Sequence, residues 1–293
     1  MKRALQVLLF TAFSAATLPV LAQHTASINQ QGSLGTANID QEFGIAPFEA
    51  SISQGPGAGS RASIQQSGID AQARIDQSAD HQTAFVIQAV DGGHVTVSQG
   101  GGTGNSTSID ERGLGAIANV QQQGTRNLVG ITQNGRVVRA DVYQNGTGNA
   151  VTINQRNGME EVVSTEQRGA NNRINLDLSG VGSAMQASVV QRGTDNLANL
   201  RGFGERASIE QDGIYHLADI SLEGNGSKAT IQQYGVGNRA YIVSVGDNNS
   251  ATIRQGGQNN LARIEQSVGG WTASIAQNTY SPGYGNVATI IQH

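Results

Sequence analysis

The sequence predicts an all-β solenoid of about 12 two-strand rungs: 24 short strands, 11 residues per strand-turn unit and 22 per rung. Its strands would form two parallel, in-register sheets lined on the inside by Gln and Asn ladders. Three observations carry the prediction. Ala recurs at 207, 218, 229, 240, 251, 262 and 273, and two residues after each stands Ile209, Ile220, Ile231, Ile242, Ile253, Ile264 or Ile275. One Gly falls in each unit of the same stretch, at Gly213, Gly224, Gly235, Gly246 and Gly257. Two residues beyond the Ile the units alternate, with Gln211, Gln233, Gln255 and Gln277 in one series and Leu222, Ser244 and Gln266 in the other. The period of eleven therefore contains one of twenty-two, which requires two inequivalent strands per coil.

An eleven-residue repeat is also the signature of a right-handed helical coiled coil. Here the repeated residues sit at offsets 0, 2 and 4, which scatters them around a helix but gathers them on one face of a strand. A Gly in every unit would break a long helix as well.

In chain order, the first element is MKRALQVLLFTAFSAATLPVLA. Basic Lys2 and Arg3, an apolar stretch from Ala4 and small residues up to Ala22 predict a secretory signal peptide over residues 1–22. Gln6 and Pro19 interrupt a stretch that barely reaches spanning length, which argues against a membrane anchor. Removing Lys2 and Arg3 moves the formal charge from -4 to -6. The remaining chain has Lys228 as its only Lys and no basic tract, so the electrostatic footprint of nucleic-acid binding is missing. No later segment is apolar enough to span a bilayer as a helix, and the chain has no Cys to staple it. Stability has to come from repetition.

Residues 23–293 are read as one repeat domain. The unit can be followed from Ala26 to Ala288 as 24 copies. The position after next is Ile, Val or Leu in 23 of the 24, Thr165 being the exception, and Gln follows two residues later in 19. The core aliphatics are then Ile28, Ile64, Ile109, Ile153, Ile209, Ile231, Ile253 and Ile275, with Ile220, Ile242, Ile264 and Ile290. One stacked Gln series is predicted at Gln30, Gln54, Gln77, Gln99, Gln122, Gln144, Gln167, Gln191, Gln211, Gln233, Gln255 and Gln277. Turns are marked by Gly124, Gly146, Gly169, Gly193, Gly213, Gly235 and Gly257, and a second ladder by Asn127, Asn149, Asn172, Asn196, Asn238, Asn249 and Asn260. Intervening positions such as Ser208, Glu210, Thr230 and Gln232 are polar, so each strand has one buried and one wet face. A strand with so little apolar area is unstable alone and must stack on its neighbours. At about 4.8 Å per rung the stack would be roughly 55 to 60 Å tall, with its sheets about 10 Å apart. A buried unsatisfied amide costs about 1 to 3 kcal/mol, and an identical amide above and below supplies both partners.

Gln233-Tyr-Gly235-Val-Gly-Asn238-Arg-Ala240 and Gln255-Gly-Gly257-Gln-Asn-Asn260-Leu-Ala262 follow the pattern Gln-x-Gly-x-x-Asn-x-Ala. Gln122-Gln-Gly124-Thr-Arg-Asn127, Gln144-Asn-Gly146-Thr-Gly-Asn149, Gln167-Arg-Gly169-Ala-Asn-Asn172 and Gln191-Arg-Gly193-Thr-Asp-Asn196 match it too. This resembles the curlin repeat of curli, the amyloid fibres on the surface of Gram-negative bacteria, over essentially all of residues 23–293. The resemblance implies a secreted, self-polymerising subunit of cross-β fibres that serve biofilm, adhesion and surface colonisation. It also implies a fibre nucleator and outer-membrane secretion machinery as partners.

The residues at either end of the array favour polymerisation. Strand-like sequence begins at Ala26 and continues to Ile290 without a polar capping repeat, and open sheet edges template another copy head to tail. The competing reading is a surface solenoid adhesin that stays monomeric. Catalysis, metal and cofactor binding are not expected. His24, His81, His94, His216 and His293 are dispersed without ligand spacing, and Asp and Glu converge on no groove. Asp76, Asp110, Asp141 and Asp219 read as outward, solvated positions, as do Phe85 and Ile87, while Trp271 and Tyr280 lie in or beside turns. Pro47, Pro56 and Pro282 fall between strands, as a hydrogen-bonded ladder requires.

Overall fold

The computed structural model describes residues 24–42, 47–180, 184–278 and 285–293. The expected signal peptide, Gln23, Tyr280 and Pro282 lie outside the described residues. Among those described there are 24 strands and no helix. The first eight are β1 Thr25–Gln30, β2 Thr36–Gln41, β3 Glu49–Gln54, β4 Arg61–Ile69, β5 Gln72–Gln77, β6 Thr83–Asp91, β7 His94–Gly100 and β8 Ser106–Glu111. The middle eight are β9 Ile117–Thr125, β10 Leu128–Arg136, β11 Arg139–Thr147, β12 Ala150–Met159, β13 Val162–Ala170, β14 Arg173–Ser179, β15 Gln186–Thr194 and β16 Leu197–Phe203. The last eight are β17 Arg206–Ile214, β18 Leu217–Glu223, β19 Lys228–Val236, β20 Arg239–Val245, β21 Ser250–Gly256, β22 Leu261–Gln266, β23 Thr272–Asn278 and β24 Val287–Gln292.

Odd-numbered strands form one 12-stranded sheet and even-numbered strands the other, each in simple sequence order. All pairings are parallel. One rung is thus odd strand, corner, even strand, corner, and the predicted β-solenoid of about twelve two-strand rungs is the observed fold. Register is kept by the repeat itself: β17 on β19 aligns Ala207 with Ala229, Ile209 with Ile231, Gln211 with Gln233 and Gly213 with Gly235. A slip of one residue would turn every Ile to solvent.

Length variation is absorbed in the corners, so it does not disturb the ladders. The nine-residue step from Ala198 to Ala207 shortens only the corner at Gly204 and Glu205, and β15 still meets β17 over nine residues, Gln186 to Thr194. The irregular segment between Gly158 and Glu205 therefore does not interrupt the stack, because β13 pairs β15 and β14 pairs β16 in continuous register.

The core is a double column of small and branched side chains. Ala sits next to the corner, where the chain needs room to turn, and Ile, Val or Leu fills the middle. Ile52, Ile64, Ile75, Ile153 and Ile231 are fully buried. Burying such a side chain stabilises by about 1.5 to 3 kcal/mol, and each does so only because the rungs above and below cover it. At the first described rung the cover is missing, and Ile28 is 41% exposed. A smaller cluster of Phe48, Ala71 and Val90 fills one corner.

Outward faces are polar, with several pairs of opposite charge two residues apart on one strand. Arg74 bonds Asp76 at 2.7 Å, Arg112 bonds Asp110 at 2.9 Å, Arg139 bonds Asp141 at 2.7 Å and Arg263 bonds Glu265. Pairs this exposed are screened by solvent and add little to stability. No helix among the described residues is long and apolar enough to cross a membrane.

Candidate functional site

The inner faces of the two sheets carry amide columns, and the two columns differ. In the odd sheet the series is unbroken. Gln30 donates through Nε2 to Gln54 Oε1 at 2.7 Å, Gln54 to Gln77 at 2.8 Å, Gln77 to Gln99 at 2.9 Å and Gln99 to Gln122 at 2.7 Å. Gln122, Gln144 and Gln167 each donate onward at 2.8 Å, ending on Gln191. The chain continues through Gln211, Gln233 and Gln255 to Gln277 at 2.7 to 2.9 Å. From Gln54 on, the second hydrogen of each amide crosses to the opposite sheet: Gln144 donates to Leu128 O at 3.1 Å and Gln233 to Leu217 O at 2.9 Å. Each amide therefore ties its rung to the next and one sheet to the other.

Gln144→Leu keeps the volume and removes these bonds, leaving Gln167 Oε1 buried without its donor. The expected loss is about 2 kcal/mol, from about 1 to 3 kcal/mol per orphaned buried group, read as a lower denaturant midpoint with the strand signal retained.

The even sheet has a second, shorter column outside the predicted Gln series. Gln41 donates to Gln66 and Gln66 to Gln88, both at 2.9 Å, and Gln88 donates to Glu111 Oε2 at 3.1 Å. Gln133 donates to Gln155 at 2.9 Å, and Gln266 to Gln292 at 3.0 Å. Between them the position is filled by Leu178, Gly202, Leu222 and Ser244. The same 22-residue spacing, offset by eleven, is visible in the sequence but is masked by these four substitutions.

The Asn ladder runs along the corner that follows each odd strand. Asn127, Asn149, Asn172, Asn196, Asn238 and Asn260 stand in it, joined by Asn105 and Asn286. Its bonding joins the expected amide-to-amide contact to a backbone bond: Asn127 Nδ2 donates to Asn105 Oδ1 at 3.1 Å, and Asn196 to Asn172 and Asn260 to Asn238 at 3.0 Å. Each Oδ1 accepts the backbone N–H of the Asn one rung on, as in Asn149 N–H to Asn127 Oδ1 at 3.1 Å and Asn260 N–H to Asn238 Oδ1 at 2.9 Å. Nδ2 also reaches corner carbonyls: Asn172 donates to Arg168 O at 3.2 Å and Gly193 O at 2.9 Å. Asn249 lies in the opposite corner, apart from the other six. It donates its N–H to Ser227 Oγ at 3.2 Å and accepts from Trp271 N–H at 2.9 Å.

His216 occupies one place in the Asn column. It donates its N–H to Asn196 Oδ1 at 3.0 Å and accepts Asn238 N–H on Nδ1 at 3.2 Å, with Nε2 beside Asp212 O at 3.3 Å. That arrangement requires the neutral ring protonated on Nε2. Burial accordingly holds its pKa below the ordinary 6.5. Because the unfolded chain takes up this proton more readily, His216 contributes full stability above pH 6.5 and loses it as pH falls below that value. His216→Asn is expected to raise the unfolding midpoint relative to the parent at about pH 5 and to leave a smaller difference at about pH 8.

The corner glycines form a column for a steric reason. Gly124, Gly146, Gly169, Gly193, Gly213, Gly235 and Gly257 all have φ between 87° and 140°. A Cβ on Gly146 would stand 1.9 Å from Gly169 O, and one on Gly213 1.9 Å from Gly235 O. The second left-handed position of the same corners is filled by Arg126, Asn171, Asp195, Tyr215 and Asn259 as well as by Gly148 and Gly237. At the first position a Cβ would meet the backbone of the next rung, whereas at Gly148 and Gly237 it would meet a side-chain end, Asn171 Oδ1 or Asn259 Oδ1.

The ladders also have a direction. In every Gln–Gln bond the earlier rung donates and the later rung accepts, so the array begins with an acceptor, Gln30 Oε1, and ends with a donor, Gln277 Nε2. The shorter column repeats this, from Gln41 Oε1 to Gln292 Nε2. Among the described residues, β1, β2, β23 and β24 each pair on one side only. Trp271 borders a corner at 40% exposure, and Phe85 and Ile87 face solvent on β6 at 45% and 39%. No group of three His, Cys, Asp or Glu that could hold a metal ion occurs among the described residues.

A family model, the curlin associated repeat, matches residues 204–235, 224–257 and 246–278. These overlapping matches span β17 to β23, the longest run of the chain over which the eleven-residue step does not vary. Comparison with curated proteins returns no match.

Proposed function

The chain is a curlin-repeat protein, and on that premise we propose that it is a secreted structural subunit that adds to copies of itself head to tail, building an extracellular curli-like amyloid fibre for biofilm matrix and surface attachment. The observation that supports this best is the complementarity of the two end rungs. Setting β23 of one copy against β1 of the next puts Gln277 Nε2 beside Gln30 Oε1 and Ile275 over Ile28; β24 against β2 puts Gln292 beside Gln41 and Ile290 over Ile39. Each contact repeats one already made inside the stack. A heterologous contact of this kind does not close and propagates as a filament.

In this reading residues 1–22 are removed on export, and a nucleator and outer-membrane secretion machinery act on the chain. The driving force is the cover that Ile28 lacks in the isolated subunit. Purified residues 23–293 are expected to assemble after a lag that preformed seeds shorten, giving dye-binding fibres. Ile28→Lys puts a charge into the seam and leaves the interior rungs untouched. It is expected to slow elongation at least about tenfold, equivalent to about 1.4 kcal/mol or more at the seam, without changing the circular dichroism of the monomer. Assembly of Ile28→Lys at the parent rate, or a parent that stays monodisperse at high concentration, would contradict the proposal.

A further inference from the structure

The even-sheet ladder contains one residue whose chemistry does not match its place. Register puts Glu111 over Gln88 on one side and under Gln133 on the other. Wherever two Gln meet in these columns, the earlier rung offers an N–H to the Oε1 of the later one. Glu111 has no nitrogen to offer. Its Oε2 accepts from Gln88, but Glu111 Oε1 and Gln133 Oε1 are both buried and both without a partner. Two acceptors on adjacent rungs are reconciled only by a hydrogen between them, and the carboxylic acid is the only group in the column able to carry it.

We propose that Glu111 works as a protonated rung, accepting from Gln88 through Oε2 and donating its carboxyl hydrogen from Oε1 to Gln133 Oε1, and that its ionisation opens the ladder in the body of the stack. Protonated, the column runs from Gln41 through Glu111 to Gln155. On ionisation the proton leaves to water and a buried carboxylate faces the carbonyl oxygen of Gln133.

The surroundings supply no compensating charge. Glu111 is 0% exposed. On the facing corner, a Cβ built on Gly93 would touch Val90, Glu111 Oε2 and Gln88 Nε2, so this end of the interior is small and apolar apart from the ladder itself. The adjoining charged residues are turned away. Asp110 and Arg112 pair with each other outside, His94 at the start of β7 bonds Gln72 Oε1 at 3.2 Å, and Asp91 and Arg136 are exposed in the corners of β6 and β10. Around the start of β9 the buried residues are Ala116, just before the strand, and Ala118.

Burial raises the Glu111 pKa from the ordinary 4.5 to about 8, against a smaller lowering by Gln88. Between those values the folded chain keeps a proton that the unfolded chain has released, so the contribution of Glu111 is complete below pH 4.5 and is lost as pH rises through about 8. Glu161, buried in a corner between β12 and β13 with neither oxygen partnered, is raised to about 7 and acts in the same direction. It has no ladder partner to donate to and serves as the control.

The test uses the full chain with carboxyl-labelled Glu, followed by magnetic resonance from about pH 4 to pH 10, alongside Glu111→Gln and Glu161→Gln. It reads the residue directly, so it does not depend on whether the chain polymerises. The expected result is a Glu carboxyl signal that titrates near the raised value and disappears in Glu111→Gln but not in Glu161→Gln. Glu111→Gln, whose amide donates in place of the acid, should unfold at the parent denaturant concentration at about pH 5 and at a clearly higher one at about pH 9. A Glu111 signal that titrates in the ordinary carboxylate range, or parent and Glu111→Gln midpoints that run parallel across that interval, would overturn the proposal.

Discussion

Gly146→Val splits the stack. At Gly146, φ is 137° and an added Cβ would lie 1.9 Å from Gly169 O and 3.0 Å from Gly169 N, which are backbone atoms fixed by the next rung. Two costs add: a left-handed conformation that a β-branched residue resists, worth about 1 to 3 kcal/mol, and a clash relieved only by separating β11 from β13. The total exceeds about 3 kcal/mol and falls on the pairing of β11 with β13. A solenoid behaves as a one-dimensional chain of neighbours, so a broken step uncouples its two halves. The single unfolding transition is expected to become two, with proteolytic cleavage close to residue 146. Gly148→Asn is the matched control. Its Cβ meets the end of a flexible side chain, Asn171 Oδ1 at 2.7 Å, and that corner position already carries non-glycine residues on other rungs. One cooperative transition within about 1 kcal/mol of the parent is expected there.

Ile153→Ala is expected to cost about 2 to 5 kcal/mol, whereas Ile28→Ala costs under about 1 kcal/mol. Ile153 is fully buried between Ile131 and Leu176, and truncation leaves a cavity that flat, hydrogen-bonded rungs cannot collapse into. Ile28 is the same residue at the same point of the repeat, yet it is 41% exposed on an outer rung. The difference between the two denaturant midpoints reports the stacking neighbours, since strand propensity and local sequence pattern are shared. Equal costs would mean that stability resides within each rung.

Most of the architecture was legible because one physical requirement recurs in every unit. Ala, Ile and Gln at offsets 0, 2 and 4 fix the strand, its buried face and its register together, and doubling of the period separates the sheets. What the eleven-residue step alone does not encode is which corner a turn residue occupies; that takes the doubled period. Asn249 follows Gly246 much as Asn260 follows Gly257, so the two look equivalent in sequence, but they belong to opposite corners. Nor does a period specify all of the bonding: in the Asn column the side-chain oxygen also takes the backbone N–H of the next rung, because the corner brings those atoms together, and Nδ2 reaches corner carbonyls as well as neighbouring amides. The shorter ladder was hidden by Leu178, Gly202, Leu222 and Ser244, where an inward site is filled by whatever volume packs. Glu111 and Glu161 read as ordinary polar residues in a polar chain, and only burial distinguishes them.

The most direct test of the head-to-tail stack is solid-state magnetic resonance on fibres grown from an equal mixture of carbon-labelled and nitrogen-labelled copies. Only contacts between different molecules then give a carbon–nitrogen signal. The expected signals join the first rung to the last, Gln30 to Gln277 and Gln41 to Gln292, with none between copies at Gln144. Intermolecular contact of Gln144 with Gln144 would mean that each rung stacks on itself in a neighbouring chain, and would contradict a solenoid whose columns are built within one molecule and continued only at its ends.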